Sequence, residues 1–258
     1  MMECLAVDWS GALTGAASRI WIARATEGVL TDLCAPGTRS AVRDVLLQRR
    51  QNASPVLAGL DFSFSVPAWY AAARGWTDVT DVWTAARDEG EMWLRDCTPP
   101  FWGRPGTRRP HDVAQGLRAT ELASAAGRQP KSVFQVGGAG SVGTGSIRGM
   151  PMLLELRAAG WAVWPFDVAA THTIVEIYPR LFTGAVVKRR ADAREDWLAQ
   201  HLPALASEFR RMMCASEDAF DAGVSALRMT RLDVATALPA RGDPVTRLEG
   251  AICRPGAR

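Results

Sequence analysis

The order of apolar segments over the first 67 residues is what most constrains the fold. Residues 3–9 (ECLAVDW) read as a buried strand, SGALTGA turns the chain into RIWIARA (19–25), and Glu27-Gly28 turns it again into GVLTDLC (28–34). Three strands in close succession predict an antiparallel meander. Thr38 is placed to cap a helix over 39–51, where Val42, Val45 and Leu46 recur at helical spacing, and PVLAGLDFSFSVP (55–67) follows as a fourth strand. In that strand Ala58, Leu60, Phe62, Phe64 and Val66 alternate with Gly59, Asp61, Ser63 and Ser65, predicting one apolar and one polar face. The expectation is an α/β chain that opens βββαβ.

The rest of the chain carries a weaker pattern. Helices are expected at 67–74, 78–96 and 112–126, around the loop TPPFWGRPGTRRP, which is too rich in Pro, Gly and Arg for regular structure. These make a mainly helical insertion, about 67–131, in a single domain. SVFQV then leads into the glycine-rich GGAGSVGTGSIRG (137–149), the helical MPMLLELRAAG, and strands at WAVWPF and THTIVEIYP. Helices follow at about 179–186, 191–200 and 203–213, and a last one runs from near Ser216 to about Leu238.

Chemistry concentrates in four aspartates. Asp8 ends one apolar run and Asp61 another, while Asp218 and Asp221 stand three residues apart on the last helix, so that both project from one face. Carboxylates gathered in this way repel one another unless protonated or filled by a divalent cation. The alternatives are bland: Asp218 as a helix cap, Asp221 as a solvated first-turn acid, Asp61 as a strand terminator. Glu176 is a further candidate for the same pocket, with a strand-edge salt bridge as its alternative. Other chemistries find little material. The three histidines (His111, His172, His201) are far apart, and the five cysteines show neither CxxC nor zinc spacing, so reduced, mostly buried thiols are expected.

No segment reaches the roughly 18 apolar residues of a membrane span, and MMECLAVDWS has no basic leader pattern, so a cytoplasmic protein without a membrane partner is expected. The net charge of +3 is small, although basic residues cluster at Arg108-Arg109, Lys188-Arg189-Arg190 and Arg210-Arg211. Among the ten tryptophans, Trp9, Trp21, Trp161 and Trp164 fall in strand patterns and read as core. Trp76, Trp83, Trp93 and Trp102, in the insertion, are either core or platforms for bases.

A βββαβ start with an acid in the first and fourth strands and a late helix bearing aspartates resembles the ribonuclease H-like superfamily. In that fold the first and fourth strands are parallel neighbours, and the i, i+3 pair looks like the C-terminal helix of Holliday-junction resolvases of the RuvC type, which usually carry Glu where this chain has Asp61. A closer resemblance, over nearly the whole chain, is to the family of domain of unknown function 429, described as predicted ribonuclease H-like nucleases. It is carried by VDWSGA (7–12), LDFSFSVP (60–67), RATE (118–121), FQVGGAGSVGTGSIRGMPML (134–153), VEIYPR (175–180) and EDAFDAGVSAL (217–227). The resemblance implies a metal-dependent nuclease using two Mg²⁺ or Mn²⁺ ions, with Asp8 bridging and Asp61, Asp218 and Asp221 completing the sites. Nucleic acid would be the partner. A non-catalytic module binding nucleic acid or a protein is the main alternative, and a sugar-kinase-like phosphotransferase is disfavoured because the chain shows no duplicated domain.

Substrate-contacting candidates are Ser10 and Ser63, beside the two strand aspartates, Arg118 and Glu121 of the RATE motif, and Gly138, Gly140, Ser141, Gly143, Thr144 and Arg148 of the glycine-rich segment. Gly138 to Gly143 forms a formal GxGxxG. It is a poor dinucleotide fingerprint, because it lies mid-chain after a short strand and lacks the acid about 20 residues on. A phosphate-contacting loop and a plain connection both remain open.

Overall fold

The structure, a computed structural model, describes residues 1–112, 114–124, 130–138, 140–240 and 242–255. Six strands form one mixed sheet: β1 (Glu3–Asp8), β2 (Trp21–Thr26), β3 (Val29–Cys34), β4 (Val56–Leu60), β5 (Ala162–Val163) and β6 (His172–Glu176). Across the sheet the order is β3-β2-β1-β4-β6-β5. The first three strands pair antiparallel, whereas β1–β4, β4–β6 and β6–β5 pair parallel. The meander is closed by Glu27 and Gly28, both at positive φ (50° and 78°), the backbone a two-residue type I′ hairpin turn requires. Between β3 and β4 lies α1 (Arg39–Arg50), capped by the Thr38 hydroxyl, which accepts from the Ala41 N–H at 3.0 Å.

Helices cover both faces of the sheet. On one face lie α1, α3 (Val79–Asp96) and α5 (Gly143–Ala158), whose side chains share a core with Leu5, Val7, Ala58 and Leu60. On the other lies α9 (Glu217–Met229), backed by α6 (Arg180–Thr183), α7 (Ala191–His201) and α8 (Ser207–Ala215) and packed on Cys4, Ala6, Leu57 and Val175. Burial on both faces is why β1 and β4 read as nearly continuous apolar runs. Gly59 keeps α9 close: a Cβ there would lie 2.7 Å from the Ile177 side chain and 2.8 Å from the Met229 sulfur. Short helices α2 (Ala68–Ala73), α4 (Ala119–Ala123), α10 (Val234–Ala237) and α11 (Pro244–Glu249) complete the chain, and no described helix is long and apolar enough to cross a membrane.

Several expectations change. β4 stops at Leu60, and residues 61–67 leave the sheet because side chains satisfy their backbone: Ser146 Oγ accepts from Ser63 N–H and Glu176 Oε2 from Phe64 N–H, both at 2.9 Å. The glycine-rich segment is helical from Gly143 onward, not a loop up to Gly149. A Cβ at Gly143 would lie 2.1 Å from the Val133 carbonyl oxygen, so glycine there serves close packing of a helix end. The last long helix ends at Met229, because Asp233 caps the separate turn α10 by accepting from Ala235 N–H. Of the helix expected over 112–126, residues 113, 125 and 126 lie outside the described residues; a 3₁₀ turn (Ala114–Gly116) and α4 account for much of the remainder. WAVWPF contributes only the two residues of β5. Cys4, Cys97 and Cys253 are buried free thiols, Cys34 an exposed one. Trp83 and Trp93 are buried core, with Trp76 and Trp102 packed against it.

Candidate active site

The parallel pairing of β1 and β4 brings Asp8 and Asp61 together. Val7 registers with Leu60, and the Asp61 N–H donates to the Val7 carbonyl at 3.0 Å, so the two aspartates flank each other at the C-terminal edge of the sheet. Side chains alternate along a strand, and Ala6 and Leu57 face α9; Asp8, two residues on, therefore faces α9, as does Asp61 if the alternation is continued one residue past β4. From α9, with Ser216 as its N-cap, Asp221 and Asp218 complete the cluster. Asp221 is only 6% exposed, which removes the reading of it as a solvated first-turn acid, while Asp218 is half-buried.

Four carboxylates in this space perturb one another strongly. Burial, then the charges of Asp61, Asp221 and Asp218, pushes the Asp8 carboxyl well above its ordinary range. Burial and Asp221 push Asp61 up to about 8, and burial pushes Asp221 up to about 6 against the pull of Lys188. Asp218 is raised by burial and by Glu217. The cation set among these acids is Lys188, whose Nζ donates to Asp221 Oδ2. Burial acts to lower the Lys188 pKa, but Asp221, Asp61 and Asp8 outweigh it and the net shift is upward. Lys188 was legible in the sequence only as part of a basic run.

One ammonium does not balance this cluster. Asp221 Oδ1 is buried and accepts no hydrogen bond, an orphaned oxygen aimed among like charges. Among the described residues no group of three or more Asp, Glu, His or Cys side chains is placed to hold a metal ion as the side chains stand. The donor chemistry nonetheless fits a hard divalent cation: carboxylate oxygens only, buried, and in charge excess.

Glu176, expected as a further candidate for this pocket, lies near enough to Asp61 for its charge to help raise that carboxyl, and both line one cleft. It ends β6 in register with Leu60, and its own carboxylate is taken by a buried ion-pair network. Arg118 donates through Nη1 to Glu176 Oε2 at 2.8 Å and through Nη2 to Glu176 Oε1 and, at 2.8 Å, to Glu121 Oε1. Its Nη1 also donates to the Glu249 carbonyl at 2.9 Å, tying the C-terminal segment to β6. Arg118 has no exposed surface, and Glu121 accepts its N–H as the reciprocal half of the α4 cap. Both were expected to touch substrate; Arg118 is instead an internal tie, and the Glu121 oxygens are held by Arg118 and Ser63. Arg118→Met should therefore destabilise the protein by about 3–5 kcal/mol, since it strands two buried carboxylates. Equilibrium denaturation in urea reads this loss, and a change below about 1 kcal/mol would contradict the network's structural role.

Above the sheet edge a cleft of about 480 Å³ opens, with Asp61 in its wall. Arg19, Arg104 and Lys131 line it, as do Ser10, Ser63, Ser141, Thr144 and the first turn of α5, which no side chain caps. Several expected contacts are otherwise engaged. Ser10 Oγ accepts from Ala12 N–H, Ser63 Oγ donates to Glu121, and Thr144 Oγ1 donates to the Val136 carbonyl. Arg148 bonds Glu91 and the Gly11 carbonyl, so its guanidinium fastens α5 to α3 and to the loop after β1. Gly143, packed on Val133, is unavailable as a phosphate cradle, whereas Gly138 and Gly140, at φ 82° and 69°, shape the turn before α5. No protein-family model, curated protein or solved structure matches the chain.

Proposed function

We propose that this chain is a ribonuclease H-like, divalent-metal-dependent nuclease that hydrolyses phosphodiester bonds of nucleic acid. The observation that carries the reading is the convergence of Asp8, Asp61, Asp218 and Asp221 at one sheet edge with more buried negative charge than Lys188 offsets. The strand order, with β1 and β4 as parallel neighbours behind an antiparallel meander, supports it because the resemblance in the sequence implies that arrangement.

The four aspartates would hold Mg²⁺ or Mn²⁺, which when bound supplies Lewis acidity for activating water and for stabilising the leaving oxygen. The chain's own part is to bring a phosphate there. Arg19, Arg104 and Lys131 line the cleft with positive charge, and the uncapped N-terminus of α5 adds backbone N–H groups and the positive end of its dipole. Beyond the cleft, exposed Arg108 and Arg109 extend the basic surface, with the Arg109 guanidinium 5.6 Å from the Trp102 ring centre. A non-catalytic module is favoured by one observation, the Lys188–Asp221 pair, which fills part of the site from within.

A Mn²⁺ soak separates the two. Anomalous scattering is expected to give a peak between Asp8, Asp61 and Asp221, and cleavage of labelled RNA, DNA and hybrid strands is expected only with Mg²⁺ or Mn²⁺ present. No peak at millimolar Mn²⁺ with nucleic acid bound would sink the nuclease reading in favour of the module.

A further inference from the structure

Lys188 stands out by residue type as well as by position. The chain has only two lysines, Lys131 and Lys188, among its 30 Lys and Arg residues, so a lysine between carboxylates is a departure from its usual cation. The difference is physical. An ammonium is a compact point charge on a flexible four-carbon stem, whereas a guanidinium is a planar fork that locks onto a carboxylate through two bonds.

The backbone beneath it is pinned by several bonds, and the side chain is tied through its ammonium to Asp221. Arg180 donates to the Val186 carbonyl at 2.6 Å, and Arg194, itself buried, donates to the Lys188 carbonyl and to the Met213 and Cys214 carbonyls at the end of α8. The stretch between α6 and α7 is thus held on both sides of Lys188. The Lys188 side chain is 24% exposed, so it reaches solvent while its partner Asp221 is buried. Beside its partner atom, Asp221 Oδ1 is buried without any donor, which leaves half of that carboxylate waiting for a cation.

We propose that Lys188 is a built-in counter-ion, which occupies the carboxylate site of the metal-free protein and leaves Asp221 when a divalent cation binds. This rests on the reading of the aspartates as metal ligands. Its consequence is competition: the lysine holds the acids together without metal, and the same contact weakens metal binding in proportion to the time it occupies the site.

Two measurements on the full chain test it. Lys188→Met, compared with wild type and with the charge-retaining Lys188→Arg, is expected to lower Tm in EDTA by about 5 °C while tightening Mn²⁺ binding about tenfold by calorimetry. Lys188→Arg should stay within about threefold of wild type in Mn²⁺ affinity. A side chain that merely supports the fold would lower both Tm and affinity. Reductive methylation of the wild-type protein needs no variant: Lys188 should be protected in EDTA and become reactive in Mn²⁺, with exposed Lys131 as the internal reference. Equal Mn²⁺ affinity in wild type and Lys188→Met, or unchanged Lys188 reactivity, overturns the counter-ion role and leaves the metal site standing. Absence of Mn²⁺ binding in every protein overturns the metal reading and this proposal with it.

Discussion

Asp8→Asn is expected to remove Mg²⁺-dependent cleavage by about 10³-fold or more, because a carboxylate ligand contributes several kcal/mol of transition-state stabilisation. The same substitution should make the metal-free protein more stable. Asp8 is 9% exposed and its carboxyl is pushed far up by burial and by three neighbouring acids, so its charge opposes folding wherever it is ionised. Asparagine keeps the shape and discards the charge. At pH 8 in EDTA a rise in Tm of about 5 °C is expected, shrinking as pH falls and vanishing only below about 3.8, where the unfolded chain holds the proton as well. Cleavage assays and scanning calorimetry on one preparation read both. A variant that loses stability in EDTA would mean that Asp8 is held by a favourable partner and is a structural acid, as Arg118→Met should reveal for Glu176. Loss of activity joined to gain of stability is the signature of a charge retained for function.

The aspartates were legible because their context is local. An acid ending a run as apolar as CLAVD needs a partner, the βββαβ order makes the first and fourth strands neighbours, and i, i+3 spacing puts Asp218 and Asp221 on one helix face. Glu176 reads as either a pocket acid or a strand-edge salt bridge, and it is placed for both: it shares a cleft with Asp61 while its carboxylate is held by Arg118. Arg118 read as a substrate-contacting residue because its partner Glu176 lies 58 residues away, and nothing local marks an arginine for burial. The glycines from 143 to 149 read as part of a phosphate-contacting loop or a plain connection, yet their lack of side chains lets α5 pack closely: a Cβ would lie 2.1 Å from the Val133 carbonyl oxygen at Gly143 and 2.7 Å from the Phe62 ring at Gly149. Lys188 was least legible, since residues 187–190 fall between the expected helices, and the helix expected to run to about 186 ends at Thr183, leaving a stretch positioned by Arg180 and Arg194 from helices on either side.

The response of stability to pH should invert when metal is added. Asp8, Asp61 and Asp221 all bind a proton more tightly in the native protein than in the unfolded chain, where a carboxyl titrates near 3.8. Between that value and about 8, where Asp61 titrates, the native state holds more protons than the unfolded state, and raising pH destabilises it. Stability from these groups is fully present below the unfolded value and is lost as pH rises through the native ones. Lys188, shifted upward from 10.5, keeps its proton throughout the window and leaves the slope unchanged. In EDTA, Tm should therefore fall by about 5–10 °C between pH 5 and pH 8.5. In Mg²⁺ the ligands must be deprotonated to bind, so the added stability grows with pH and the two curves diverge. Asp61→Asn should flatten the EDTA curve and narrow the gap, since it removes a group that titrates within this window. An EDTA curve that rises over this range, with the Mg²⁺ curve lying on it, would show that the four carboxylates are already balanced within the fold and that no cation is needed among them.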